Sequence, residues 1–320
     1  MIAWKSDTDK IYVNHEYMNN LVKGLKKPYL ILPHYWMACS RFIQSDEMYL
    51  KVLYRLYHGK KLHLEHPVTF TEKLQWLKLH NTSELCTQLV DKYGVREFIK
   101  EKIGEEYLIP LLGVWEHFDE IDFDTLPEKF VLKTNHGSGG VIICRDKAKL
   151  NMVEAKRTLE KSLSENYFWE GREYPYKNVP PRIIAEMFME DAEGNPPVDY
   201  KFFCFDGEPK VLFYASERFN PQGLPPKFDY YDMGLNHLPV RSKGHENATN
   251  TLQMFQQFEE MKRLARILSK GFAHVRVDLY LVGGKIYFGE MTFHHDGGLV
   301  PFAPEEWDKK FGDMIKLPIE

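Results

Sequence analysis

Residues 275–292 read VRVDLYLVGGKIYFGEMT. Apolar and polar side chains alternate on both sides of Gly283-Gly284, as they do in half-buried β-strands. Paired glycines between two such runs favour a tight turn. The stretch therefore predicts an antiparallel hairpin.

The length of the loop sets which residues face each other across this hairpin. A two-residue loop would place Asp278 and Glu290 on opposite faces, whereas a three-residue loop would place them on one face. Three-residue loops that contain glycine are common. We therefore expect the loop Gly283-Gly284-Lys285, with the pairs Val282–Ile286, Tyr280–Phe288, Asp278–Glu290 and Arg276–Thr292.

Two opposed carboxylates on one sheet face repel each other unless a cation lies between them. Mg²⁺ typically takes one or two carboxylates together with substrate phosphates. Arg276 on the same face would neutralise phosphate oxygens. A solvent-facing hairpin explains Asp278 or Glu290 singly, but not both together with Arg276. The hairpin thus predicts a magnesium–nucleotide site.

A second signal is KTNHGSGGV, residues 133–141, where a strand delivers Lys133 into a loop of small residues and a second strand follows. Such a loop lets backbone N–H groups approach a triphosphate. The lysine precedes the loop and a strand follows it, so the segment is neither a P-loop nor a Rossmann turn. A plain glycine-rich hairpin turn is the alternative.

The remaining pattern interleaves helices with hairpins, which predicts a mixed, largely antiparallel α+β protein. Residues 1–83 are expected to be helical, with Thr71 as the N-cap of one helix, and residues 88–99 are expected to form one further helix. Further expectations are a hairpin over 199–214 turning at Asp206-Gly207 and an amphipathic helix over 253–270.

Composition fits a soluble globular protein: of 320 residues, 43% are hydrophobic and 28% charged, with a net charge of −4 that argues against coating nucleic acid. The four cysteines form no C-x-x-C pair, which suits a reducing cytoplasm. Neither a signal peptide nor a transmembrane segment is expected. Residues 1–61 carry an excess of five positive charges, so this arm is either a solvated face or a weak contact with an anionic membrane.

Several segments together resemble the ATP-grasp superfamily, and within it the TupA-like branch, named for teichuronopeptide biosynthesis. The similarity runs from about Tyr49 to the C-terminus, and it is carried by the order and spacing of PVTFTEKLQW (67–76), DKYGVR (91–96), LP before FVLK (126–133) and FGEMTF (288–293). The resemblance implies two α+β subdomains gripping ATP behind a helical extension. The expected parts are 1–83 (helical extension), 84–128 (start of the ATP-grasp module), 129–189 (lid with glycine loop) and 190–320 (C-terminal subdomain with the metal site).

The resemblance also implies roles for particular residues. Lys92 and Lys133 would contact ATP phosphates, Lys133 and Arg276 would act in catalysis, and Asp278, Glu290 and Thr292 would hold Mg²⁺. Thr292 stands where the family usually has asparagine, which weakens the second metal position. The other residues expected at ATP are Gly137, Ser138, Gly139 and Gly140 at the phosphates, Glu186, Met187 and Met189 at the adenine, Asp199 at the ribose, and Lys201 two residues further on the same strand face.

The reaction implied is the joining of a carboxylate to an amine through an acyl-phosphate, on a surface polysaccharide or its precursor. The residues expected at the substrate are His294, His295, Gly297 and Gly298. The alternative is that they form an ordinary surface loop. Zinc binding by the two histidines is disfavoured, because no third ligand stands at a suitable spacing. The aromatic segments 167–169 and 228–232 would form either a sugar platform or core packing. Three other classes remain open: a glycosyltransferase of capsule or O-antigen assembly, an ATP-grasp sugar kinase, and a nucleotide-binding module without chemistry.

Overall fold

The structure is a computed structural model that describes residues 32–194, 197–216, 225–249 and 252–318, and it is an α+β protein as predicted. Most of the basic arm lies outside these residues. The described helices are α1 (Leu32–Ala38), α2 (Asp46–His58), α3 (Phe70–His80), α4 (Glu84–Val90), α5 (Val95–Lys102), α6 (Met152–Ser164), α7 (Phe168–Gly171), α8 (Phe258–Ser269) and α9 (Glu306–Asp313). The described strands are β1 (Leu111–Trp115), β2 (Phe130–Thr134), β3 (Val141–Cys144), β4 (Ile183–Met187), β5 (Val198–Phe205), β6 (Glu208–Ser216), β7 (Lys227–Asp232), β8 (His237–Leu238), β9 (Arg241–Ser242), β10 (His274–Val282), β11 (Lys285–Thr292) and β12 (Phe302–Ala303).

The larger sheet has six antiparallel strands in the order β11-β10-β5-β6-β7-β8. Since side chains alternate along a strand, each face has its own core. One face packs on α4, α5 and α8 through Val275, Val277 and Leu279 of β10. The opposite face packs on α3 and α9 through Phe203 and Phe205 of β5. Arg276 and Asp278 lie on this second face, beside that core.

The smaller sheet has four antiparallel strands in the order β1-β4-β2-β3 and packs on α6. It contains the strand that carries Lys133 and the glycine loop between β2 and β3, as the sequence predicts. A separate two-stranded sheet pairs β12 with β9. The hairpin of β5 and β6 turns at Asp206-Gly207, both with positive φ, as expected.

The prediction of Thr71 as the N-cap of α3 was wrong by two residues. Thr69 is the N-cap, because its hydroxyl accepts from the Glu72 N–H while the Glu72 carboxylate accepts from the Thr69 N–H. The Thr71 hydroxyl instead donates to Asp308 Oδ2 at 2.6 Å. This bond fastens α3 to α9.

The single helix predicted over 88–99 was also wrong, because the chain leaves helical structure between α4 and α5. Asp91 Oδ1 accepts from the Tyr93 N–H at 2.8 Å and from Asn135 Nδ2 at 2.7 Å. The Lys92 N–H donates to the Asn135 carbonyl at 3.1 Å. These bonds to the glycine-loop segment replace helical ones, and they bring Lys92 beside that loop.

Burial decides between the two interpretations of the aromatic segment 228–232. Phe228, Tyr230 and Tyr231 lie in β7 and are at most 7% exposed, so the segment packs into the core and the sugar-platform expectation was wrong for it. In segment 167–169, Phe168 is buried. None of the helices in the described ranges combines the length and the apolar character needed to cross a bilayer.

Candidate active site

The turn between β10 and β11 differs from the prediction. Val282 pairs with Lys285, so the loop has two residues, Gly283 and Gly284, with φ of 54° and 78°. Positive φ at both positions is what a two-residue hairpin turn requires, and glycine adopts it without strain. The expected pairs Val282–Ile286 and Tyr280–Phe288 were therefore wrong.

A β-bulge then restores the predicted pairing of the acids. Leu279 pairs with Phe288, but Asp278 pairs with Glu290, which leaves Gly289 as an extra residue. A β-carbon on Gly289 would lie 3.0 Å from the Asp278 carbonyl oxygen, closer than β-carbons ordinarily come. The extra residue shifts the register by one, so the side chains of β11 beyond it lie on the opposite face from the one that a regular strand would give them. The expected pairs Asp278–Glu290 and Arg276–Thr292 are therefore confirmed.

Arg276 is the centre of the group that this register creates. Its Nε and Nη2 donate to the two Asp278 oxygens at 2.7 and 2.8 Å. Nη2 also donates to Glu290 Oε1 at 2.9 Å and to the Thr292 hydroxyl at 3.0 Å. Burial opposes the charge on Arg276, but Asp278 and Glu290 outweigh it and raise the pKa of the guanidinium. Arg276 therefore stays charged.

The neighbouring strand β5 adds two further charged residues. Lys201 lies opposite Asp278, and its Nζ contacts the Asp278 carboxylate as well as Asp199 Oδ2, the latter at 2.6 Å. Burial lowers the pKa of Lys201, but the two carboxylates outweigh burial and the net shift is upward. Arg276 and Lys201 thus link Asp199, Asp278 and Glu290. Burial raises the pKa of Asp278, while Arg276 and Lys201 act against that shift.

These residues fit a magnesium ion that substrate phosphates complete. Within the described part of the chain, no three His, Cys, Asp or Glu side chains converge as a metal cage. Asp278, Glu290 and Thr292 offer two carboxylates and a hydroxyl, which are hard oxygen donors on one sheet face. A partial oxygen set of this kind suits Mg²⁺, and it does not suit structural zinc.

A narrow cleft joins this hairpin to the smaller sheet. It is lined by Lys92, Val95, Arg96, Leu108, Ile109, Lys133, Glu186, Phe288 and Gly289. Burial lowers the pKa of Lys92, while the Glu290 charge acts in the opposite direction. Both predicted phosphate lysines thus border the same cleft as the metal strand.

Lys133 and the predicted adenine-binding Glu186 are bound to each other. Lys133 Nζ lies 2.6 Å from Glu186 Oε2, and Arg96 Nη1 lies 3.5 Å from Glu186 Oε1. On the same strand the Met187 side chain is exposed, and Met189 follows two residues on. Contact of Glu186, Met187 and Met189 with adenine remains a prediction, and so do contact of Asp199 with ribose and contact of Lys201 with ATP.

The glycine loop lies against Lys92, whose Nζ donates to the Gly137 carbonyl. Ser138, Gly139 and Gly140 complete the loop, and the Thr134 hydroxyl donates to the Gly139 carbonyl at 3.3 Å. The loop thus contacts Lys92, one of the residues that line the cleft. Its contact with ATP remains a prediction.

The predicted substrate residues form a short turn after β11. His295 Nδ1 lies 3.0 Å from Arg276 Nη1, so His295 belongs to the group around Arg276. His294 is buried and its Nδ1 lies 3.3 Å from Glu173 Oε2. Gly297 and Gly298 pack toward α3. Their role as substrate contacts remains a prediction.

Sequence reasoning missed Arg96, Lys78 and Glu173. Arg96 stands in the quoted segment DKYGVR, which was a usable signal. Lys78 lies on α3 and Glu173 lies between α7 and β4, and both are at most 3% exposed. Their partners are more than a hundred residues away in sequence, so no local pattern marks them.

A family model described as TupA-like ATPgrasp matches residues 72–316. The chain therefore belongs to the TupA-like ATP-grasp family. No curated protein matches the chain.

Similar solved structures are distant. The D-alanine–D-alanine ligase from Helicobacter pylori is 12% identical with a TM-score of 0.41, covering 77% of this chain and 69% of that one. D-cycloserine synthetase DcsG is 15% identical with a TM-score of 0.39, covering 69% and 70%. The Bacillus anthracis D-alanine–D-alanine ligase complexed with ATP is 14% identical with a TM-score of 0.38, covering 64% and 54%. The family assignment rests on the family match and not on these structures.

Replacing Lys133 by methionine is expected to weaken binding of the magnesium complex of a non-hydrolysable ATP analogue about ten- to a hundredfold. A charge-assisted hydrogen bond to phosphate contributes about 1.5–3 kcal/mol. Isothermal titration calorimetry measures the change. The matched control is Lys129→Met, a half-exposed lysine just before β2 that pairs with Glu190. Equal affinities for the two variants would contradict the phosphate role of Lys133.

Proposed function

We propose that this chain is a magnesium- and ATP-dependent carboxylate–amine ligase that works through an acyl-phosphate. The supporting observation is the opposed pair Asp278 and Glu290, bridged by Arg276 next to a cleft that Lys92 and Lys133 also border. An anionic substrate with a divalent cation fits a group that mixes fixed acids with fixed cations. ATP is the nucleotide that the family implies.

In the proposed reaction, Lys92, Lys133 and Arg276 hold the phosphates of ATP. A substrate carboxylate oxygen bonds to the γ-phosphorus, the bond from that phosphorus to ADP breaks, and ADP leaves with the electron pair. Asp278, Glu290 and Thr292 would hold magnesium, which would supply positive charge at the phosphates. Catalysis of this step is mainly positioning and charge stabilisation. The glycine loop at 137–140 would exclude the water that hydrolyses an acyl-phosphate.

The second step joins the activated carboxylate to an amine, next to the turn that His294, His295, Gly297 and Gly298 form. We propose a uronic acid or an amino acid as the carboxylate, coupled on a cell-surface polysaccharide or its precursor in the cytoplasm. This assignment extends the name of the family by analogy. Weak contact of the N-terminal arm with a membrane surface stays a prediction, since most of the arm is outside the described residues.

The structure argues against a glycosyltransferase but does not separate a ligase from a sugar kinase. A glycosyltransferase would want a D-x-D motif, whereas residues 229–232 read D-x-x-D. Asp229 is moreover 1% exposed, and its Oδ1 lies 2.8 Å from His237 Nε2. A sugar kinase would share every ATP contact proposed above. Only the product of the reaction separates the kinase from the ligase.

A screen of ADP release tests the proposal. Uronic acids are crossed with amino acids and simple amines in the presence of ATP and magnesium, and nucleotide sugars are tested separately. The proposal expects ADP and phosphate to appear only when both a carboxylate and an amine are present. Transfer from a nucleotide sugar without ATP would contradict it.

A further inference from the structure

The turn from His294 to Gly298, here called the 294–298 turn, has an uncommon backbone. Asp296, Gly297 and Gly298 have φ of 48°, 61° and 63°, so three consecutive residues are left-handed. This conformation costs a non-glycine residue roughly 1–2 kcal/mol. Surrounding groups must therefore hold the turn in place.

Side chains of α2 and α3 hold the 294–298 turn in place through hydrogen bonds. Gln75 Nε2 donates to the Gly297 and Gly298 carbonyls at 2.9 and 3.0 Å, and Lys78 Nζ donates to the Gly297 carbonyl at 2.7 Å. His58 Nε2 lies 3.2 Å from the Gly298 carbonyl. The carbonyls of the turn are thus anchored on the side of α3.

The N–H groups of the turn bond within it. The Gly297 N–H donates to the His294 carbonyl at 2.9 Å, and the Leu299 N–H donates to the Asp296 carbonyl at 3.1 Å. The turn is therefore a compact 3-10 unit at the end of the strand that carries Glu290 and Thr292.

Lys78 and Glu173 are two buried charged residues that lie beside this turn. Both are at most 3% exposed, and Glu173 also holds the ring of His294 at the start of the turn. A β-carbon on Gly297 would lie 3.6 Å from Glu173 Oε1 and 3.7 Å from Lys78 Nζ, so both charges reach the same glycine. Burial lowers the pKa of Lys78 to about 8, while Glu173 acts against that shift. Buried charges are costly unless polar partners hold them, so the contacts of Lys78 with the Gly297 carbonyl and of Glu173 with His294 resist breaking.

We propose that Lys78 and Glu173 are positioning residues for the second step of the reaction, in which the amine meets the activated carboxylate at the 294–298 turn. This inference rests on the proposed ligase function. In that step the amine nitrogen bonds to the acyl carbon, and the bond from that carbon to the phosphate oxygen breaks. Phosphate leaves with the electron pair, and the amine loses one proton to it. The first step uses the residues around Arg276, which neither Lys78 nor Glu173 contacts through a hydrogen bond among the described residues.

The test separates the two steps in the full-length chain. Lys78→Met and Glu173→Gln are compared with wild type for hydroxamate formation from a uronic acid with ATP and hydroxylamine, and for amide formation with the best amino acid of the screen. Hydroxylamine is a small nucleophile that traps the acyl-phosphate without a positioned acceptor. We expect amide formation to fall about a hundredfold, because small displacements of a positioned group have effects of this size. Hydroxamate formation is expected to stay within about threefold of wild type.

The matched control is Lys73→Met on the same helix. Lys73 Nζ also donates to backbone carbonyls, those of Gly312 and Ile315, but away from the turn. We expect it to leave the ratio of amide to hydroxamate unchanged. Equal losses of both products in Lys78→Met and Glu173→Gln, or no loss of amide, would overturn the positioning role. If wild type gives no hydroxamate from any carboxylate, the ligase function itself fails, and this inference fails with it.

Discussion

Replacing Glu290 by glutamine is expected to lower ATP turnover at saturating magnesium at least about a thousandfold. Glutamine has almost the same shape, and its amide oxygen can still accept from Arg276, but it removes one of two negative charges opposite each other on β10 and β11. Magnesium binds an amide oxygen less well than a carboxylate. Steady-state ADP release over a range of magnesium concentrations measures the effect.

The control for this prediction is Glu246→Gln. Glu246 is an exposed carboxylate that pairs with Lys227, far from β10 in sequence and on the surface. Its turnover should match wild type, and both variants should keep the thermal midpoint of the wild-type chain within a few degrees. Intact ATP turnover by Glu290→Gln under saturating magnesium would show that Glu290 is not a metal ligand.

Replacing Gly289 by valine is expected to reduce turnover about a hundredfold or more and to lower the free energy of unfolding by about 1–3 kcal/mol. The new side chain would meet the Asp278 carbonyl and the Tyr280 ring, both within 3.0 Å of its β-carbon. The bulge would have to shift. Because the bulge alone sets Glu290 opposite Asp278, the shift would displace the two carboxylates from each other.

Urea unfolding and steady-state ADP release check this prediction together. The control is Lys285→Val, which places the same side chain at an exposed position of the same strand, where no close contact arises. This control should behave as wild type in both measurements. Wild-type turnover in Gly289→Val would mean that the bulge does not set the geometry of the site.

The hairpin shows how far sequence reasoning reached. Alternation of side chains predicted both strands, and the glycine pair predicted the turn, because these signals are local. The loop is one residue shorter than expected and the bulge adds one residue, so the two deviations cancel and the predicted pairing of Asp278 with Glu290 is confirmed. Bulges are set by contacts across strands, so the bulge at Gly289 had no reliable signal in the sequence.

Other parts of the site depend on contacts between distant segments. Lys201 reaches Asp278 because β5 pairs with β10, and alternation alone does not predict which strands become neighbours. The break in the helix predicted over 88–99 was missed for the same reason, since Asp91 bonds to the distant Asn135. Lys78 is a polar residue on an amphipathic helix, and its local pattern indicates a solvated face. It is buried because the 294–298 turn packs on it.

The most direct test of the ligase assignment is hydroxylamine trapping with the carboxylate that gives the fastest ADP release. The proposed chemistry predicts that wild type converts this carboxylate to its hydroxamate in an amount equal to the ADP formed, and that Glu290→Gln forms neither product. ADP formed together with a stable phosphate ester of the substrate, and without hydroxamate, would contradict the acyl-phosphate and identify a kinase instead.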